Sequence, residues 1–116
     1  MNKFIINCTP HDINVLNELG NRIVLIPKLP ADSIARVATS SIKICDLDIA
    51  GAKVPVSRTE LLQVTNLPAE RPGVALIVSA LVRLALPLRK DLFSPGELVR
   101  NDAGQPIGCR GLEGNL

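Results

Sequence analysis

The sequence predicts a predominantly β fold of the α+β class, a small mixed or antiparallel, barrel-like sheet with one short helix over about residues 80–86. Three observations predict it. Glycines and prolines punctuate the chain about every eight to twelve residues, the rhythm of short strands and turns. Between them lie apolar or alternating runs, as at Phe4-Ile5-Ile6, Ile34 to Thr39 and Val74 to Val78. Only one segment, Ala80 to Leu86, combines helical composition with a capping residue before it, Ser79, and a stop after it, Pro87.

The elements follow in order. Lys3 to Thr9 reads as a buried strand. The next segment has a helix template in Thr9-Pro10-x-Asp12 with Ile13, Leu16 and Leu19. Asn14 and Asn17 and the β-branched Ile13 and Val15 oppose it. A hairpin of Asp12 to Asn17 and Arg22 to Pro27, turning through Glu18 to Asn21, is the better reading. After a loop from Pro27 to Asp32, Ile34 to Thr39 forms a strand, and Lys43 to Leu47 pairs with Ala52 to Ser57 across Asp48-Ile49-Ala50-Gly51. Pro55 lacks a donor, so its strand belongs at an edge. Leu61 to Thr65 adds a short strand, and Asn66 to Gly73 is a loop. Val74 to Val78 is apolar at every position and reads as a central strand. Glu97 to Asn101 and Pro106 to Arg110 flank the turn Asp102-Ala103-Gly104-Gln105, and Gly111 to Leu116 is expected to be a frayed tail. The whole, residues 1–116, is expected to be a single domain.

Composition excludes several functions. Phe4 and Phe93 are the only aromatic residues, so the core is aliphatic and bases of single-stranded nucleic acid have almost nothing to stack on. A net charge of +2 without a Lys/Arg cluster is too weak for duplex binding. The longest apolar stretch, Val74 to Leu88, is interrupted by Arg83 and Pro87 and falls short of a membrane span. Cys8, Cys45 and Cys109 have no metal-ligand or paired spacing and read as three small buried thiols, which implies a reducing compartment. The protein is therefore expected in the cytoplasm, with no metal and no cofactor.

The candidate chemistry starts at Asn7-Cys8-Thr9-Pro10-His11, where Pro10 stiffens a corner carrying a hydroxyl and the only imidazole of the chain. Histidine is the side chain whose ordinary pKa lies closest to neutrality, so His11 leads as a binding group or a general base. As a base it would need an orienting carboxylate such as Asp91 or Glu60. Arg36, Arg58 and Arg89 sit in or beside apolar segments, where a guanidinium either pairs with Glu60 or Asp91 or grips an anion bidentately. Ser79, at a strand-to-helix junction, is either a cap or an anion contact. Its surroundings, Ile77-Val78-Ser79-Ala80-Leu81, do not form a nucleophile elbow.

The motifs Asn7-Cys8-Thr9-Pro10-His11, Ala35-Arg36-Val37, Ile77-Val78-Ser79-Ala80-Leu81-Val82, Arg89-x-Asp91-Leu92-x-x-Pro95 and Ile107-Gly108-Cys109-Arg110-Gly111 occur in this order along nearly the whole chain. In that order they resemble a group of small proteins of bacteriophages and bacterial genomes with an Asn-x-Thr-Pro-His start. Cys8 stands where leucine is usual in that group. The resemblance implies a context, the cytoplasm of a bacterial host, in which a phage protein could act against host defence by sequestering a nucleotide immune signal.

The first expectation is a non-catalytic protein that binds a small anionic, nucleotide-like ligand through Thr9, His11, Arg36, Arg58, Ser79 and Arg89, with homo-oligomerisation completing the pocket. The alternatives are a hydrolase or phosphodiesterase using His11 as general base, and a phage structural or host-protein-binding module. Duplex nucleic acid and membranes are not expected partners.

Overall fold

A computed structural model describes residues 4–116. Lys3, expected at the start of the first strand, lies outside the described residues. The chain order is β1 (Phe4–Asn7), β2 (Ile13–Leu16), β3 (Arg22–Ile26), β4 (Arg36–Ile49), β5 (Ala52–Thr65), β6 (Val74–Ile77), α1 (Ala80–Ala85), β7 (Leu92–Arg100) and β8 (Pro106–Gly114), with one 3-10 turn at Ala31–Ser33. The fold is predominantly β with a single short α-helix among the described residues, as the sequence predicts.

Six strands make one mixed sheet in the order β1-β6-β7-β8-β2-β3. β1, β6 and β7 run parallel, β7 and β8 antiparallel, β8 and β2 parallel, and β2 and β3 antiparallel. β6 is the strand around which the core is arranged. Alternation sends Leu76 and Val78 to one face, where they meet Cys8, Ala35, Val82 and Leu92. Ile77 points to the other face and packs with Ile13, Val15, Ile26 and Cys109. Leu76 is 1% exposed, so Leu76→Ala would cost about 3 kcal/mol in lost burial and cavity.

Local chemistry shapes the turns as expected. Asn17 opens the β2–β3 turn by accepting at Oδ1 from the backbone N–H groups of Leu19 and Asn21, both at 3.0 Å. Asn101 opens the β7–β8 turn in the same way, accepting from Ala103 and Gln105 at 3.0 Å. Each asparagine stands three residues before a glycine of positive φ, Gly20 or Gly104. Ser79 caps α1 by accepting from the Val82 N–H at 3.2 Å.

Three expectations are corrected. The strands expected at Ile34–Thr39, Lys43–Leu47, Ala52–Ser57 and Leu61–Thr65 are parts of two strands only, β4 and β5, each of 14 residues. They pair continuously from Arg36·Thr65 to Ile49·Ala52, with register shifts at Val37/Thr39 and Lys43/Cys45. The residues between the expected strands, Ser40 to Ile42 and Arg58 to Glu60, face one another across this ladder. Ala50 and Gly51, both at positive φ, close a two-residue turn suited to strand twist.

The C-terminus is not a frayed tail. β8 continues through Gly114, pairing Gly114 with Phe93 and Leu112 with Pro95. The Asn115 Nδ2 then lies 3.0–3.2 Å from the carbonyl oxygens of Arg83, Leu86 and Arg89, adding a second donor to carbonyls that also accept from the backbone N–H groups of Leu86, Arg89 and Leu92. The tail is held by carbonyls of the helix and of the turn after it, partners invisible in its own sequence. Finally, Cys8 and Cys109 are buried but Cys45, on β4, is exposed; all three are free thiols. No helix among the described residues is long and apolar enough to cross a membrane.

Candidate functional site

Parallel pairing of β1 with β6 places the segments that follow them side by side at the carboxyl end of the sheet. Crevices outside the carboxyl ends of parallel strands are where open sheets commonly hold ligands. Here the segment after β1 is the Thr-Pro-His corner, and the segment after β6 carries Ser79. The two segments are stitched by the Cys8 N–H, which donates to the Ile77 carbonyl at 2.8 Å.

Asn7 holds the corner in shape. Its Oδ1 accepts from the Thr9 N–H at 2.9 Å and from the Thr9 hydroxyl at 2.7 Å. Its Nδ2 donates to the His11 carbonyl at 2.8 Å and to the Ile26 carbonyl at 3.1 Å. Asn7 is 2% exposed and Thr9 is 7% exposed, so both polar side chains are consumed inside the protein. Thr9 is thus a brace whose hydroxyl proton is already committed. His11 lies on the outer side of the corner and is exposed.

Asp12 extends the corner toward the far edge of the sheet. Its Oδ1 accepts from the Lys28 N–H at 2.8 Å, fixing the chain where it leaves β3. A cleft of about 760 Å³ opens there, lined by Thr9, His11, Asp12, Lys28 and Ser79, with Pro95, Leu98, Pro106 and Ile107 supplying apolar wall. The volume falls in the range of small-molecule sites, and apolar walls with a few polar groups are the usual composition. At Gly108, another lining residue, a Cβ would come within 2.8 Å of the Asn14 carbonyl oxygen and 2.9 Å of the Leu16 side chain. Glycine there lets β8 lie against β2 and keeps that wall of the cleft low.

Of the six residues singled out in the sequence, Thr9, His11 and Ser79 therefore come together. The three arginines stand elsewhere. Arg36 is exposed at the start of β4, opposite Thr65. Arg58 is exposed on β5 and pairs with Glu60 at 3.2 Å. Arg89 donates through Nε and Nη2 to both carboxylate oxygens of Asp91 at 2.8 Å, and through Nη2 to the Pro68 carbonyl at 3.1 Å. These are the ion pairs with Glu60 and Asp91 that the sequence offered as the alternative to anion gripping. They also occupy the two carboxylates considered as partners for His11. Hydrogen bonding to Arg89 holds the Asp91 carboxyl below its ordinary pKa, with the positive charge adding to the effect against the opposing influence of burial. Burial pushes the Cys8 and Cys109 thiols up, which makes them poor nucleophiles.

Sequence reasoning missed Asn7 as the anchor of the corner, Lys28 as a cleft residue and Arg83 as a buried tie. Arg83, 12% exposed at its side chain, donates through Nε to the buried Ser94 hydroxyl at 2.9 Å and through Nη1 to Asn115 Oδ1 at 3.2 Å. The Asx spacing from Asn7 to Thr9 was a readable signal. Lys28 had none, because it reaches the cleft only through the β2–β3 pairing.

A second depression of about 370 Å³ lies at the amino end of β6, between Glu70, Arg71, Lys90 and Asp91. It mixes charges of both signs, and its Asp91 is already held by Arg89. Among the described residues no group of three or more His, Cys, Asp or Glu side chains is placed to hold a metal ion. Comparison with protein-family models, with curated proteins and with solved structures finds no match to this chain.

Proposed function

We propose that this protein is a non-catalytic binder of a small anionic, nucleotide-like ligand, held in the cleft at the carboxyl ends of β1 and β6. One observation carries the reading. His11, Lys28 and Ser79, residues with cationic or hydrogen-bonding side chains, line with Asp12 a cleft of ligand size whose other wall is apolar. The phosphate-gripping role expected of Arg36, Arg58 and Arg89 passes in this reading to His11 and Lys28. Pro95, Leu98 and Ile107 offer the apolar surface against which a base or ribose would lie.

The resemblance to small phage and bacterial proteins supplies a setting, sequestration of a nucleotide immune signal in the host cytoplasm. Retention without conversion suits a corner whose Thr9 hydroxyl is committed to Asn7, while the carboxylates considered as partners for His11, Asp91 and Glu60, lie outside the cleft and are paired with Arg89 and Arg58. A homo-oligomer is part of the reading; the cleft already has ligand size within one copy, so in this reading the oligomer is not needed to complete the pocket.

The test is incubation with a panel of cyclic and ADP-ribose-type nucleotides, followed by denaturation and analysis of what is released. Intact ligand recovered from wild type, and not from His11→Ala or Lys28→Ala, is the expected result. A converted product would replace the reading with a hydrolase, and retention of no member would remove it.

A further inference from the structure

The β4–β5 hairpin carries an extended surface that the cleft does not explain. From Ser41 to Pro55 every residue is exposed. Strands of 14 residues reach about 45 Å. The radius of gyration, 17.4 Å, accordingly exceeds the roughly 13 Å of a compact chain of this length. Only the base of the arm is anchored, where Val37 and Val64 pack against the core.

Beyond that base the two faces of the arm differ sharply. The pairs Asp46·Pro55 and Asp48·Lys53 lie on one face, with Lys43 bonded to Asp46 at 2.9 Å and Lys53 to Asp48 at 3.2 Å. The pairs Cys45·Val56, Leu47·Val54 and Ile49·Ala52 lie on the other, and every member is apolar. Leu47 is 51% and Ile49 53% exposed, and Ile44, in the bulge, is 58% exposed. An isolated two-stranded hairpin is marginal in water, and a long one with a bare apolar face needs a cover.

We propose that a second copy of this chain covers it, the two arms packing apolar face to apolar face across a two-fold axis. Three features favour this occupant. The exposed apolar residues run as one band along the arm, from Ile42 through Leu47 to Ile49, the kind of contiguous patch that marks a protein–protein interface. Every charge from Lys43 to Glu60 is paired within the arm, as Lys43 with Asp46, Lys53 with Asp48 and Arg58 with Glu60. The arm therefore presents no net charge to attract nucleic acid or an anionic lipid surface. The face is also self-complementary: laid antiparallel, the Ile49·Ala52 tip of one arm meets the Ile42·Arg58 pair of its partner, where Arg58 stays bonded to Glu60 at the rim, with Leu47 and Val54 near the axis. This rests on the oligomer half of the function proposed above and not on its ligand half.

Analytical ultracentrifugation with thiol labelling tests it, using Cys45 as the exposed thiol beside the buried Cys8 and Cys109. Wild type is expected to sediment as two copies, with Cys45 labelling by a maleimide slowing as protein concentration rises. Leu47→Thr with Val54→Thr keeps strand-forming residues in a cross-strand pair and should weaken the dimer at least about tenfold while freeing Cys45. Asp48→Thr with Lys53→Thr, on the polar face, should leave both readouts unchanged. A wild type that sediments as one copy at every soluble concentration, with Cys45 labelling independent of concentration, overturns the proposal. So does a single copy that floats with phosphatidylcholine vesicles, which would assign the face to lipid. Nucleotide retention by the Leu47→Thr/Val54→Thr protein reads the cleft separately, so failure of one proposal is distinguishable from failure of the other.

Discussion

Asn7 receives the Thr9 hydroxyl at 2.7 Å, and through that bond a buried amide sets the shape of the corner that presents His11. The same Asn7 side chain reaches the Ile26 carbonyl on β3, so β1, the corner and the far side of the sheet share one residue. Replacing it with alanine takes away the partner Asn7 gives to the buried Thr9 N–H and to the Ile26 carbonyl, while the Thr9 hydroxyl keeps only the His11 carbonyl. Each buried unsatisfied group costs about 1–3 kcal/mol. Asn7→Ala is therefore expected to lower stability by about 3 kcal/mol, read as a drop in the denaturant midpoint at unchanged m. A loss under about 0.5 kcal/mol would show that the corner is held by other contacts.

At the cleft, His11→Ala and Lys28→Ala remove side chains that make no side-chain hydrogen bond within the described protein, so melting should change little. Their bonds to the rest of the chain run through backbone atoms, which the substitutions leave intact. Each variant should lose about tenfold or more in nucleotide retention, roughly the contribution of one charge-assisted hydrogen bond. Retained binding in both variants, measured by equilibrium dialysis, would move the ligand out of this cleft.

The pair of Arg89 and Asp91 predicts an acid limb of stability. Because the Asp91 carboxyl is held low in the folded state, the unfolded chain takes up that proton first as pH falls. The stabilisation is fully present above the ordinary aspartate value of about 4 and is lost as pH drops through the lower folded value. Arg89→Ala strands a carboxylate whose side chain is 7% exposed and should cost about 3 kcal/mol at neutral pH. Its stability should also fall less between pH 5 and 2 than that of wild type, a window of about three pH units checked by urea melts. Parallel curves for the two proteins would rule out the pair as the source of the limb.

Asn115 predicts the behaviour of the C-terminus. Asn115→Ala removes the donor shared by the Arg83, Leu86 and Arg89 carbonyls and the acceptor for Arg83 Nη1. A loss of about 2 kcal/mol is expected. Amide hydrogen exchange should accelerate first at the end of α1 and at Leu112 to Gly114. Uniform exchange across the molecule would mean that the tail contributes nothing local.

Strand β6, the Ser79 cap and the turns at Asn17 and Asn101 could be read from the sequence, because each depends on a pattern within a few residues. Alternation placed Leu76 and Ile77 on opposite faces, and a hydroxyl before a helical run made a cap. The Thr-Pro-His corner was legible for the same reason, since proline and an Asx contact act locally. Its meeting with Ser79 needed the parallel pairing of β1 and β6, which joins segments some seventy residues apart.

The tertiary structure alone decided the rest. Ser40 to Ile42 and Arg58 to Glu60 fall between the expected strands, yet cross-strand pairing makes them part of one long arm. Gly111 to Leu116 looks like a polar end, yet carbonyls of α1 and of the turn after it bond Asn115. Arg58 and Arg89 could serve a ligand or a carboxylate, and the choice belongs to whichever charge the fold brings within reach. Lys28 enters the cleft only because β3 returns beside β2. Local conformational preference acts over a few residues and is written along the chain. Burial, ion pairing and hydrogen-bond satisfaction are settled by neighbours in space, and those neighbours exist only once the chain has folded.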